Sequence, residues 1–221
     1  MLDLYLKGGM LMHPILFASI VALAIVLERG WFFWRLRGDA QAAFEAMAER
    51  FSSGDWEGAT QMAEKIAGPV GTVLREGLKH SQDGPEIAQE AMAIRGEAVL
   101  QTVRRGIPIL ALIASVSTML GLLGTVVGLV EAFQKVAEME ARVSPSLLAS
   151  GIWAALVTTV GGLFVAIPTL IVHHYFQGKV AHLAFQIEHY GSELLLVMKK
   201  ERARPGAAVG GCSGGGSRCS D

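Results

Sequence analysis

Three long stretches of this 221-residue chain contain no Asp, Glu, Lys or Arg: residues 8–27, 106–130 and 143–172. Each is long enough to cross a hydrocarbon core as a helix. None therefore carries one of these charged side chains in its interior, and the chain alone is expected to be incomplete as a proton carrier, which counts against a channel acting without a partner. Cysteine is nearly missing too. Cys212 and Cys219 stand together near the end, with no second pair to complete a zinc site. Residues 36–103 show no metal-ligand cluster, no phosphate-binding loop and no nucleophile beside a base. The chain is expected to be no enzyme, to hold no cofactor or metal, and to bind no nucleic acid. A basic leader is lacking before residue 8, and the first apolar run passes directly into Glu28, Arg29 and the aromatic cluster Trp31, Phe32, Phe33 and Trp34. These features suit an interfacial belt at the end of a retained span better than a cleaved signal peptide.

What the spans do contain is small residues at helical spacing. Ala114, Thr118, Gly121, Thr125 and Gly128 follow one another at steps of four, three, four and three, and so share one helix face. Gly124 and Gly128 add a small-xxx-small pair. In the third span Ala155, Thr159, Gly162 and Ala166 form a similar row, with Thr158 beside it. Lipid gives apolar helices no hydrophobic reason to associate, so small faces mark close helix packing, with or without a pore. Thr125 and Thr159 are candidates to line an ion path; a membrane threonine can equally bond back to its own backbone. His13 and the pair His173–His174 read as interfacial residues rather than as a relay or a metal site.

The expected fold is an all-α membrane protein with three transmembrane helices and long cytoplasmic helical extensions. Residues 1–9 form a short outer-face segment, 10–34 the first span and 35–105 a cytoplasmic helical domain. Residues 106–130 form the second span, 131–144 an outer-face loop and 145–173 the third span. A cytoplasmic helix follows over 174–202, then a disordered tail over 203–221, rich in glycine. Within the large domain Asp55 is placed to cap a helix, and Val70, Val73, Leu74, Gly77 and Leu78 make an apolar helical stripe. The helix opening at Pro85 is expected to run through Arg105 into the second span, bent near Pro108. Ser144 is placed to cap the third span, and Pro168 to bend it. Orientation follows from basic flanks: Arg29, Arg35, Arg37, Arg104, Arg105 and Lys179 outnumber Lys7, Lys135 and Arg142 on the other side. The positive-inside rule then puts the N-terminus outside and the C-terminus in the cytoplasm, with Arg104 and Arg105 meeting lipid headgroups.

Three pieces of the chain resemble the ExbB/TolQ/MotA proton-channel family, and its ExbB/TolQ branch most. They are GGMLMHPILFASIVALAIVLERGWFF from residue 8, MLGLLGTVVGLVEAF from residue 119 and LASGIWAALVTTVGGLFVAIP from residue 148. The resemblance implies a pentamer in the bacterial inner membrane, its second and third spans around a central pore. That pore would hold single-span ExbD- or TolR-like partners bearing a transmembrane aspartate, with a TonB- or TolA-like protein beyond them. Protons would drive the motor, sodium remaining an alternative ion. On this resemblance the ion-path residues are Thr125 and Thr159, and Gly121, Gly124, Gly128, Ala155 and Gly162 are the small residues of the pore or its interfaces. The process energised would be outer-membrane transport or envelope maintenance.

Two positions depart from the family pattern. Members of this branch carry Gly-Ile-x-Glu-Ala-Leu at the start of the third span, and this chain reads Gly151-Ile152-Trp153-Ala154-Ala155-Leu156. Ala154 stands where the carboxylate would be, which keeps a non-conducting membrane scaffold open as the alternative. Thr118 stands where the pattern has a proline.

Overall fold

The computed structural model describes residues 12–35, 40–138 and 145–203. All described elements are helices. In chain order they are α1 (Met12–Arg35), α2 (Ala40–Ser52), α3 (Trp56–Lys65), α4 (Gly68–Lys79), α5 (Pro85–Arg104), α6 (Ile107–Glu138) and α7 (Pro145–Arg202). Three stretches are long and apolar enough to cross a membrane, within Met12–Arg35, Pro85–Ala137 and Ala149–Arg202. The expected segment 1–9, the Ser144 cap and the tail from residue 204, including Cys212 and Cys219, lie outside the described residues.

The chain divides into two compact units, one of Met1–Arg35 with Arg104–Val180 and one of Leu36–Val103 with Ala181–Asp221. The first is a bundle of α1, α6 and the first part of α7. Gly161 on α7 faces Met12 on α1, with room for a Cβ only 3.2 Å from its sulfur. At the other end of α1, Phe33 stacks on Phe176 of α7 at 5.5 Å. Large apolar side chains cover the outside of the bundle, among them Phe17, Leu23, Leu112, Met119, Phe133, Phe164 and Ile171. An outward apolar coat over a core of small residues is the pattern of a bundle whose solvent is lipid.

The second unit is built from shorter amphipathic helices. Asp55 accepts a 2.8 Å hydrogen bond from the Gly58 N–H and so caps α3. Val70, Val73, Leu74, Gly77 and Leu78 are all buried along α4. Gly77 lies against Met92 of α5, and Gly96 of α5 faces Ile187 of α7 with a Cβ position 3.5 Å from its methyl. Phe44 of α2 meets Tyr190 of α7 at 4.8 Å, and Leu194 is fully buried. Tyr190, Leu194 and Met198 recur at helical spacing, which is why this end of α7 can bury one face.

Three expectations differ from the structure. The helix from Pro85 does not run into the second span: it ends at Arg104, and Arg105 and Gly106 form a turn. Gly106 has φ +83°, a left-handed conformation that costs other residues more than it costs glycine. Pro108 then falls in the first turn of α6, where its missing N–H costs nothing, so it opens a helix rather than bending one. The loop expected from residue 131 is helical through Glu138, because Glu131-Ala-Phe-Gln-Lys-Val-Ala-Glu is made of good helix formers. Pro168 lies inside α7, which continues through it without a break; that leaves the expected bend untouched.

Candidate functional site

The backbones of α6 and α7 approach each other closely. A Cβ on Gly121 would sit 3.2 Å from the Thr159 Cα, and one on Gly162 would sit 3.0 Å from the Gly121 Cα. Gly124 meets the Thr158 side chain. Gly128 faces the Ala155 Cβ at 2.8 Å, and Gly151 faces the Ala132 Cβ at 2.6 Å. The two helices are antiparallel, since Ala132 meets Gly151 at one end while Ile107 meets His173 at the other. Only residues without bulk permit this, which is the physical meaning of the small rows.

The row at the centre of the contact is not quite the one the spacing suggested. On α6, Leu110, Ala114, Ser117, Gly121, Gly124 and Ala132 are buried, Thr125 is half-buried and Thr118 is exposed at the edge. On α7, Ala155, Thr158, Gly162, Ala166, Thr169 and His173 are buried, and Thr159 is half-buried. Neighbouring residues point 100° apart, so a one-residue choice between Thr158 and Thr159 is decided by where the partner helix lies.

Five threonine hydroxyls in this unit have carbonyl partners. Thr159 Oγ1 donates across the contact to the Gly121 carbonyl at 2.8 Å. Thr125 donates to the Leu122 carbonyl at 2.6 Å, Thr118 to Ala114 at 3.0 Å, Thr158 to Ala154 at 3.1 Å and Thr169 to Val165 at 2.7 Å. A carbonyl only accepts, so in every case the hydroxyl proton is committed to the backbone and the oxygen lone pairs remain. Ser117 differs from these threonines: its Oγ is fully buried with no hydrogen-bond partner. Ala154 is half-buried and, being alanine, brings no carboxylate to that point of the third span.

Two polar residues near the ends of spans are buried within the unit. His173 is buried, and its Nδ1 donates to the Ile107 carbonyl at 3.0 Å, because only the nitrogen can be the donor in that pair. The bond ties α7 to the first residue of α6. Arg29 is also buried, 5.6 Å over the Phe32 ring and 3.4 Å from Glu28, and its guanidinium lies against Gly106. A signal for Ser117 was present, since it stands three residues after Ala114 and four before Gly121. For His173 the signal was its place seven residues after Ala166. Among the described residues no group of His, Cys, Asp or Glu is assembled to hold a metal ion.

The geometry thus defines a multi-pass helical membrane protein with two spans joined through glycines and threonines and no ionisable side chain along that contact except His173 at one end. Residues 65–189 match the MotA/TolQ/ExbB proton channel family. The chain is 34% identical to an ExbB-like biopolymer transport protein of Synechocystis sp., over 90% of this chain and 80% of the relative. It is 26% identical to the Tol-Pal system protein TolQ of Haemophilus influenzae, over 90% of this chain and 94% of the relative. With the biopolymer transport protein ExbB of Pseudomonas putida it shares 25% identity, over 86% of this chain and 59% of the relative. The chain belongs to the MotA/TolQ/ExbB proton channel family, on its ExbB/TolQ branch. That is a family of channel and transport proteins, not of enzymes.

Proposed function

We propose that this chain is the channel subunit of an inner-membrane, proton-driven motor. It works as a homo-oligomer, a pentamer, around a single-span ExbD- or TolR-like partner, and energises an envelope process such as TonB-dependent outer-membrane transport or Tol-Pal function. The N-terminus lies in the periplasm, and α2–α5 with the end of α7 lie in the cytoplasm. One observation carries the reading: at the glycine-packed α6–α7 contact the Thr159 hydroxyl bonds to the Gly121 carbonyl and Thr125 to its own helix, yet no Asp, Glu, Lys or Arg enters the apolar interior of any span. A proton cannot cross a low-dielectric core on threonine hydroxyls alone. The titrating carboxylate is therefore the partner's, and the chain's part is to surround it and order water.

The experiment is proton flux into vesicles holding this chain with its cognate single-span partner. Flux is expected with both proteins, and loss of flux when the partner's membrane Asp is replaced by Asn. Flux from this chain alone counts against the reading. Ala154 favours a second reading, a non-conducting scaffold. It predicts the same assembly with no flux from the complete complex.

A further inference from the structure

The second unit carries two apolar rows that its own packing leaves uncovered. On α5, Ile87 and Ile94 are 50% and 67% exposed; on α7, Phe185 and Leu196 are 64% and 66% exposed. The Phe185 ring stacks on His189, which lies between them in the α7 row. Glu90, Arg95 and Glu97 are exposed around the α5 row, so lipid hydrocarbon is not its cover.

The contact of α5 with α7 fixes the heights of the rows. Gly96 faces Ile187, and a Cβ on Gly191 would stand 4.0 Å from the Met92 sulfur. The helices are antiparallel and in step, four residues up α5 matching four residues down α7. Counting on, Ile87 is level with Leu196, and Ile94 with His189. At 100° per residue, these four point roughly 140–180° away from the residues that join the two helices. The rows therefore look out from opposite sides of the helix pair, at matched heights, and cannot cover each other within one chain.

Copies in one membrane stand the same way up, so residues of equal height meet. Charge then selects the pairing. The first turn of α5 holds Glu86, and the last turn of α7 holds Lys199 and Lys200, with the two turns at one level. A contact of α5 with α5, or of α7 with α7, would set like charges side by side. A contact of α5 with α7 sets Glu86 near the lysines and apolar residue against apolar residue. Two different faces on opposite sides make a head-to-tail contact, the kind that closes into a ring.

Resting on the homo-oligomer of the proposed function, we propose that the α5 row of each copy packs on the α7 row of the next. Ile87 then meets the neighbouring copy's Leu196, and Ile94 meets its Phe185–His189 pair. The test is site-directed cross-linking of the detergent-purified assembly in a background lacking Cys212 and Cys219. A short bis-maleimide should turn the Ile87→Cys, Leu196→Cys double variant into a ladder of covalent multimers on a denaturing gel. Each single variant should stay monomeric there, since like positions do not meet. Chains bearing Ile87→Cys and Leu196→Cys separately, co-expressed under different tags, should give a linked dimer carrying both tags. Ile87→Cys with Phe185→Cys is the control: Phe185 lies eleven residues, roughly 16 Å, along α7 from Leu196 and should stay unlinked. An assembly intact by native mass spectrometry that gives no ladder, or whose single variants link to themselves, overturns the proposal and leaves the homo-oligomer standing. A parent chain that is monomeric by native mass spectrometry overturns both.

Discussion

Adding one methyl group at Gly162 should loosen the α6–α7 contact measurably. The new Cβ would stand 2.5 Å from the Ser117 carbonyl oxygen, 3.0 Å from the Gly121 Cα and 3.2 Å from the Gly121 nitrogen. All three are backbone atoms, so no side chain can rotate away. Relief requires the helices to part by about 1 Å, to bring the shortest contact to ordinary van der Waals distance. Overpacking of this kind costs about 1–3 kcal/mol. A separation of 1 Å also stretches the 2.8 Å bond from Thr159 to the Gly121 carbonyl past hydrogen-bonding distance, a further loss of about 1 kcal/mol. Against this, Gly to Ala within a helix gains up to about 1 kcal/mol in propensity. The net expectation for Gly162→Ala is destabilisation of about 1–3 kcal/mol.

Gly178, on the same helix, is the control. A Cβ there meets nothing within 4 Å, so Gly178→Ala should be neutral or stabilising. Thermal unfolding of the purified protein in one detergent, followed by tryptophan emission, compares the two. A Gly162→Ala protein as stable as Gly178→Ala would refute the close approach of α6 and α7 near Gly121 and Gly162. The larger Gly128→Leu and Gly162→Leu changes should break the assembly, read by native mass spectrometry.

Gly106→Ala should lower stability by about 1–2 kcal/mol, because Ala is strained at φ +83° whatever the space around it, and the same thermal assay reads the loss. With Cys212 and Cys219 removed, a cysteine at Ala141 should react with an impermeant thiol reagent applied outside the inner membrane and one at Ser81 should not; the reverse pattern overturns the proposed orientation. His173→Phe keeps a buried ring but leaves the Ile107 carbonyl without its side-chain donor, and should cost about 1 kcal/mol in thermal stability. If Ala154 stands in place of a working carboxylate, Ala154→Glu should raise partner-dependent proton flux at matched assembly, and if the position is compensated it should be neutral or harmful; no gain removes the lost-carboxylate reading.

Much of the membrane unit was legible because lipid imposes a simple rule. A span must be free of charge, and a helix contact within it must be made of small residues, so residues 106–130 and the rows through Gly121 and Gly162 could be read directly. What spacing could not settle was rotation by one residue. Thr158 and Thr159 are both plausible on a 3.6-residue repeat, and the position of α6 buries Thr158 and leaves Thr159 half-buried with its hydroxyl on the Gly121 carbonyl. The break at Gly106 was hidden for a related reason. A glycine between two helical patterns is compatible with a continuous helix, and its positive φ belongs to a packed arrangement in which the Arg29 guanidinium lies against it.

Arg29 and His173 show where a charge-based reading of a membrane chain runs out. Their place in the chain puts both near the end of a span, where polar groups usually stay wet, and says nothing of which groups they pack against. Both are buried, Arg29 over the Phe32 ring and His173 on the Ile107 carbonyl, at the end of the unit where α6 begins. Burial there anchors the start of α6, while the middle of the same helix meets α7 through glycines. The Thr125 and Thr159 hydroxyls at the middle have their protons committed to carbonyls, and the buried Ser117 hydroxyl has no partner. A helix pair held this way supplies lone pairs and close packing but no acid, so under the proposed function the chemistry of proton transfer must come from the partner that it surrounds.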